Sequence, residues 1–235
     1  MLPNINKLPT YQTTIPSSQT KVSFRPFLTK EQKILLIALE SQDEKQILDA
    51  IIQTLKACYQ DLDYQSLTTF DVEYLFTQLR SKSVGEKSKI ALPCENCGHE
   101  NQIEVDLEKI SVDVPNEANM DIALTSQYTL RMKYPNYSFM MENAHLTNTE
   151  SFTNVLMELM IACMDSLRTE EEKISFADEK HDDIVTFIDN LTSEQLEKIM
   201  EFMKSIPKLK HDVDFNCSKC QHENKYTLEG IADFF

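Results

Sequence analysis

Cys94-Glu95-Asn96-Cys97-Gly98-His99-Glu100-Asn101 returns 123 positions later as Cys217-Ser218-Lys219-Cys220-Gln221-His222-Glu223-Asn224. Both copies read C-x-x-C-x-H-E-N. The flanks correspond too. Ile90 and Leu92 alternate before the first box, as Val213 and Phe215 do before the second. Ile103 and Val105 alternate after the first, as Tyr226 and Leu228 do after the second. Alternation on both sides of a short cysteine turn predicts strand, turn, strand. One C-x-x-C supplies two thiolates, whereas a structural zinc ion takes four ligands at tetrahedral corners. Two such turns facing each other complete one site, so Cys94, Cys97, Cys217 and Cys220 are the expected ligands of a structural Zn2+. The expected fold class is α+β: an N-terminal β-hairpin plus helices, and a four-cysteine zinc ribbon split by a strand-plus-helix insertion. That insertion, 98 to 216, is 119 residues long. Closing so long a loop costs entropy only logarithmically in its length, and metal binding offsets the cost.

Other readings of the boxes compete with this one. A dithiol redox centre needs only one C-x-x-C, normally at the start of a helix in a βαβ context. Strands are expected around both boxes, which disfavours it. A disulfide within each box is a further alternative. His99 and His222 could substitute as ligands, but a complete four-thiolate shell leaves no vacancy. They read instead as hydrogen-bonding neighbours of the site or as solvent groups, with H-E-N shaping the turn into the return strand.

Composition limits the remaining possibilities. A chain of 235 residues that is 41% apolar can bury a substantial core. Its three glycines, Gly85, Gly98 and Gly230, form no phosphate-cradling loop. The net charge of −15 repels a phosphate backbone, so nucleic acid is not an expected partner. Cys58 and Cys163 each end or lie on an apolar stripe at helical spacing, which predicts buried, reduced thiols. Free thiols beside a thiolate metal site indicate a reducing compartment. Residues 1–20 are polar and contain Pro3, Pro9 and Pro16, unlike a signal peptide. No apolar run approaches the ~20 residues of a membrane span.

Along the chain, Tyr11 to Ile15 and Lys21 to Phe27 flank a polar turn and predict a β-hairpin. Thr29-Lys30-Glu31-Gln32 and Ser41-Gln42-Asp43-Glu44 read as capping boxes, with Thr29 opening a helix over 30–40 and Ser41 opening one that ends near Cys58. A third helix carries Val72, Leu75, Phe76 and Leu79 on one face. Residues 119–134 alternate weakly and suggest a further hairpin, ended by Pro135. Thr147-Asn148-Thr149-Glu150 is expected to open a helix running through the stripe from Phe152 to Leu167. Residues 168–183 read as a charged connection with Glu170, Glu171 and Glu172 solvated. Ile184, Val185, Ile188 and Leu191 mark a short helix. Another is capped by Thr192-Ser193-Glu194-Gln195, turns Leu196, Ile199, Met200 and Met203 inward, and stops at Pro207. The expected divisions are 1–87 for the N-terminal hairpin and helical region, 88–110 with 208–235 for the split ribbon, and 111–207 for the insertion.

No catalytic constellation stands out. G-x-S-x-G, H-E-x-x-H and EF-hand patterns are absent, and His145, His181 and His211 are isolated from one another. A four-thiolate zinc has no open coordination position. A binding or assembly protein is therefore expected rather than an enzyme, with no small-molecule substrate.

Several segments resemble one family. They are Phe24-Arg25-Pro26-Phe27-Leu28-Thr29-Lys30-Glu31-Gln32-Lys33, Phe70-Asp71-Val72-Glu73-Tyr74-Leu75-Phe76 and Arg80-Ser81-Lys82-Ser83-Val84-Gly85-Glu86, then Met132-Lys133-Tyr134-Pro135, Ile206-Pro207-Lys208-Leu209-Lys210-His211 and Leu228-Glu229-Gly230-Ile231-Ala232-Asp233-Phe234-Phe235. Together, in this order and over nearly the whole chain, they resemble the baseplate hub and hub-assembly proteins of T-even-type contractile-tailed phages. The resemblance implies a viral protein that takes part in building the central hub of the tail baseplate, with other hub proteins as partners. Some such proteins are assembly factors that need not remain in the virion, so the host cytoplasm during infection and the tail baseplate are the implied locations. The four-cysteine arrangement is not a constant feature of that family, which makes zinc a stabiliser rather than the seat of function.

Within these segments Phe24, Phe27, Phe70, Tyr74 and Phe76 read as core aromatics. Arg80 and Lys82, taken as part of a loop from Arg80 to Glu86, are candidate partner contacts or else helix-end charges. Phe234 and Phe235 either dock on the core or anchor a partner. The alternative function is a zinc-ribbon regulatory protein that binds nucleic acid, which the acidic balance disfavours.

Overall fold

The computed structural model describes residues 8–115, 120–143 and 152–230. They form an α+β protein that divides into two compact units. One comprises the described residues of Met1–Val114 and Pro207–Phe235, so the N-terminal region and both cysteine boxes share a unit. The other comprises those of Pro115–Ile206.

The first unit opens with the antiparallel hairpin β1 (Tyr11–Thr14) and β2 (Lys21–Phe24), with Tyr11 opposite Phe24. Three helices follow: α1 (Thr29–Ser41), α2 (Glu44–Cys58) and α3 (Thr69–Ser83). Their core contains Leu55, Leu67, Phe70, Leu75 and Leu79, all almost fully buried. Phe24 stacks on Tyr59 at 4.9 Å between centroids, and the Tyr59 hydroxyl donates to the Leu75 carbonyl at 2.8 Å. Phe24, Phe70 and Phe76 are buried as expected, while Phe27 and Tyr74 are half-buried.

Two helix starts differ from the sequence expectation. Leu28, not Thr29, caps α1. Its side chain has no acceptor, so Glu31 reaches back instead and takes the Leu28 N–H at 2.8 Å. Glu31 is buried against Arg25 at 2.9 Å, and that ion pair holds it in place to cap. Asp43, not Ser41, caps α2 by accepting from the Gln46 N–H. Ser41 still belongs to α1, and its hydroxyl donates to the Ala38 carbonyl. At the start of α3, Thr68 and Asp71 form a reciprocal capping box. The Asp71 carboxylate also accepts the Ser17 N–H at 2.9 Å and the Ser17 hydroxyl at 2.6 Å, which ties the β1–β2 turn to the helix.

After α3 come β3 (Lys87–Pro93), β4 (Glu100–Asp106), a 3-10 turn (Leu107–Lys109) and β5 (Ser111–Val112). β10 (Leu209–Asn216) and β11 (Glu223–Glu229) complete the unit. β3 pairs with β4, and β10 lies between β11 and β5. The β5 edge was not anticipated, because two residues show no periodicity. The two long hairpins share one register. Leu92 faces Asn101 as Phe215 faces Asn224, and Ile90 faces Ile103 as Val213 faces Tyr226. Val105, Leu107, Ile110, Leu209, Val213 and Leu228 bury together as a common core.

The second unit holds a four-stranded antiparallel sheet in sequence order: β6 (Asp121–Ala123), β7 (Thr129–Met132), β8 (Met164–Arg168) and β9 (Lys173–Ser175). Its helices are α4 (Tyr137–Asn143), α5 (Phe152–Cys163), α6 (His181–Asp189) and α7 (Ser193–Lys204). The expected helix to Leu167 stops at Cys163. Met164 to Arg168 alternate in burial and pair with β7 and β9, Leu167 opposite both Leu130 and Ile174. Pairing on both edges outweighs the local helical spacing. The charged connection likewise contains a strand, although Glu170, Glu171 and Glu172 are exposed as expected. Thr192 and Gln195 form the anticipated capping box of α7. Ile199 and Met203 point inward, Met200 packs partly, and Phe202 joins them, whereas Leu196 is exposed. The Thr147-Asn148-Thr149-Glu150 box lies outside the described residues. Cys58 and Cys163 are buried free thiols, and burial pushes them up to about 11 and about 12.

Two outcomes follow from these contacts. Asp71→Ala strands the buried Thr68 N–H and releases the part-buried Ser17 N–H, which water can reach. It should lower stability by roughly 2 kcal/mol in a denaturant titration, since an orphaned buried donor costs about 1–3 kcal/mol. Burial pushes the Glu31 carboxyl up, but the Arg25 hydrogen bond and the Leu28 N–H bring it below its ordinary value of 4.5. A depressed folded value stabilises above 4.5, and the contribution is lost as pH falls below it. The loss of stability on acidification through that range should be smaller in Glu31→Gln than in the wild type.

Candidate metal centre

Each cysteine box is a knuckle closed by its own backbone. The Cys94 N–H donates to the His99 carbonyl at 2.9 Å, and the Gly98 N–H to the Cys94 carbonyl at 2.8 Å. The second box repeats both bonds at 2.9 Å, Cys217 to His222 and Gln221 to Cys217. The turn needs a left-handed residue at its fifth position. Gly98 supplies it at φ +66°, and Gln221 adopts it at φ +60°. Glycine has no side-chain penalty there, whereas glutamine carries one.

The two knuckles face each other. The four Sγ atoms lie within 4.8 Å of one another. Two pairs meet between boxes, Cys94 to Cys220 at 3.6 Å and Cys97 to Cys217 at 3.7 Å. A disulfide would need about 2.05 Å, and all four cysteines are free. A tetrahedral ion with metal–sulfur bonds of ~2.3 Å would separate its sulfurs by roughly 3.8 Å. The thiols therefore fit a four-thiolate metal centre. Cys94 and Cys217 are buried, while Cys97 and Cys220 are exposed. Strands flank both boxes, unlike the helix start of a dithiol redox motif. Burial pushes the Cys217 thiol up, but the backbone N–H groups of Cys220 and Lys219 outweigh it and bring it to about 6. The Lys219 N–H donates to the Cys217 sulfur at 3.4 Å.

The last residue of each box has a role that sequence reasoning missed. Asn101 and Asn224 each donate to their own knuckle, at 2.8 Å to the His99 carbonyl and 2.9 Å to the His222 carbonyl. Each also reaches across. The Asn224 Oδ1 accepts the Glu95 N–H at 2.9 Å, and the Asn101 Oδ1 accepts the Ser218 N–H at 2.9 Å. Both side chains are buried. This crossed pair ties the knuckles together around the sulfurs. The signal was their identity at matching positions of both boxes. The His99 and His222 side chains are exposed, and it is their carbonyls that close the turns.

The remaining expected site residues lie elsewhere. Arg80 and Lys82 sit inside α3 rather than on a loop. Arg80 is half-buried, and desolvation lowers its guanidinium below its ordinary value. Lys82 bonds Glu108 and also Glu86, the latter at 2.9 Å, and lies 5.7 Å from the Tyr11 ring centre. The Glu108 and Glu86 hydrogen bonds raise its amine above the ordinary range. Phe234 and Phe235 lie outside the described residues.

The family described as "T4 bacteriophage base plate protein" matches residues 8–235. No curated protein and no solved structure matches the chain significantly.

Reduced protein titrated with Co2+ should develop thiolate-to-metal absorption that saturates at one ion per chain, and Cys94→Ser should abolish the saturating signal. Asn224→Ala leaves all four sulfurs but removes one cross-tie. It should weaken Co2+ affinity about 10–100-fold, the usual cost of losing a partner that orients a ligand.

Proposed function

Because the chain belongs to the T4 bacteriophage base plate protein family, we propose that it takes part in assembling the central hub of the tail baseplate. It acts by binding other hub proteins, as an assembly factor or a hub subunit, and without catalysis. The observation that carries this reading is the match over residues 8–235, nearly the full length of the sequence. Its workplace is the host cytoplasm during infection and, where it stays in the particle, the tail baseplate. Among the described residues no helix is long and apolar enough to cross a membrane.

Zinc is the ion proposed for the four-cysteine centre, because four thiolates at tetrahedral spacing are its preferred structural set. Its role is to stabilise. With all four positions taken by protein, a bound zinc would have no site for water or substrate. The net charge of −15 argues against nucleic acid as the partner. The proposed contact surface is the Phe234-Phe235 pair together with the segment after α3 beside Arg80 and Lys82. Aromatic anchors fill apolar pockets, and cations pair with an acidic rim. Lys82 would have to share its Glu86 and Glu108 bonds with the partner.

Tagged protein should co-purify baseplate hub proteins from infected cells, and phage lacking the chain should fail to complete baseplates. Removing Phe234 and Phe235 should leave metal content intact while reducing that capture several-fold. Normal baseplate yield without the chain would reject the assembly role. Loss of metal on removing the pair would reassign those aromatics to the ribbon core.

A further inference from the structure

Helix α1 carries an apolar run, Ile34-Leu35-Leu36-Ile37-Ala38-Leu39, that circles its axis. A helix apolar all round is normally buried all round. Here only Glu31 and Ala38 are fully buried. Ile34, Leu36, Ile37 and Leu39 are 40%, 52%, 67% and 57% exposed. They are half of the exposed large hydrophobics among the described residues and fall within six consecutive positions. Scattered apolar residues on a surface are ordinary, but a contiguous patch marks an interaction site.

The charges on this helix say what covers it. Lys33 and Glu40 are seven residues apart, close to two turns, so they share one line on the helix. That line lies opposite buried Glu31 and Ala38, along the middle of the outward face. Leu36 and Leu39 flank it on one side, Ile34 and Ile37 on the other. Both charged side chains are exposed. The midpoint between Lys33 and Glu40 falls between Leu36 and Ile37, at the centre of the apolar run. An antiparallel copy of the same helix, related by a two-fold axis through that midpoint, is therefore self-complementary. Lys33 would meet Glu40 of the partner subunit, and Glu40 the partner subunit's Lys33, about 10 Å apart along the axis. The leucine flank would meet its own equivalent, and so would the isoleucine flank. Antiparallel helix dipoles add to the attraction.

We infer that this face of α1 is an isologous interface on which a second copy of the chain docks, antiparallel, with its dyad between Leu36 and Ile37. A two-fold contact requires one patch to complement itself, and α1 has that property in both its apolar and its charged positions. The net charge of −15 works against pairing, but at physiological salt it is screened beyond a Debye length of ~8 Å. The contact pairs therefore dominate. This inference is independent of the hub reading.

Sedimentation equilibrium over a wide concentration series tests it. The wild type should fit a monomer–dimer equilibrium, and Ile37→Lys should be monomeric. Lys33→Glu and Glu40→Lys, each alone, place like charges at both ends of the contact and should weaken dimerisation about tenfold or more. Combining them in one chain restores complementarity and should restore the dimer. Mixing the two single variants should give a heterodimer tighter than either homodimer. Far-ultraviolet circular dichroism and Co2+ uptake establish that each variant is folded. The double variant and the mixture decide the matter even where one single reversal folds poorly. A wild type that stays monomeric at every concentration would overturn the inference, as would a dimer indifferent to the charge reversals. Loss of hub-protein capture by α1 variants of a monomeric wild type would give the face to that other partner, and would overturn it equally.

Discussion

The structure of the first unit rests on bringing two cysteine knuckles together across 123 positions of sequence. Each knuckle is locally stable as a turn, because its own backbone bonds close it. Neither can hold a metal alone, since each offers two sulfurs where four are needed. Convergence is arranged twice. The sulfurs meet at 3.6–3.7 Å, and Asn101 and Asn224 cross between the knuckles to fix their mutual orientation. The apolar core beneath, around Val105, Leu107, Leu209, Val213 and Leu228, holds the two hairpins in place. Amide cross-ties and hydrophobic burial thus act on the same two strand pairs that bring the four sulfurs together, and each makes the other less costly to form.

That arrangement explains how the chain tolerates a large insertion. The second unit leaves β5 and returns into β10, and these two strands are hydrogen-bonded neighbours. Both ends of the insertion are therefore fixed beside each other within one sheet. The entropic cost of the long loop between them grows only slowly with length. The insertion has its own core, from Ile122 through Leu130, Met132, Cys163 and Ile199 to Met203, and its own four-stranded sheet. A unit with its own core and sheet can be inserted without disturbing the ribbon that carries it.

In this protein of the baseplate family, the four clustered cysteines are compatible with a metal site made entirely of protein ligands. The surface features are distributed differently. Lys82 is engaged within the chain by Glu86 and Glu108, and Arg80 is half-buried in α3. Half of the exposed large hydrophobics among the described residues gather on α1 instead. Apolar surface left in water is unfavourable by about 25 cal/mol per Å², so a contiguous run of it marks where assembly would gain most.

The ribbon was legible from the sequence because it is written twice. Two boxes of one pattern with matching alternation point to the strands and to the convergence of four cysteines, all of which depend on local spacing. The N-terminal hairpin and the third helix were legible for the same reason, since period-two and helical patterns are local properties. Other features were decided only in three dimensions. Thr29 and Ser41 match a capping box in sequence, yet Leu28 and Asp43 cap, because the buried Arg25–Glu31 pair fixes where α1 begins and α1 itself extends through Ser41. Met164 to Leu167 fit a helical stripe, yet pairing with β7 and β9 on both edges makes them a strand. Asn101 and Asn224 were visible as repeated letters, but their cross-ties exist only between knuckles that are remote in sequence. Local pattern determines what each segment can form. Long-range hydrogen bonding and ion pairing select among those options, because only the folded chain brings the partners within reach.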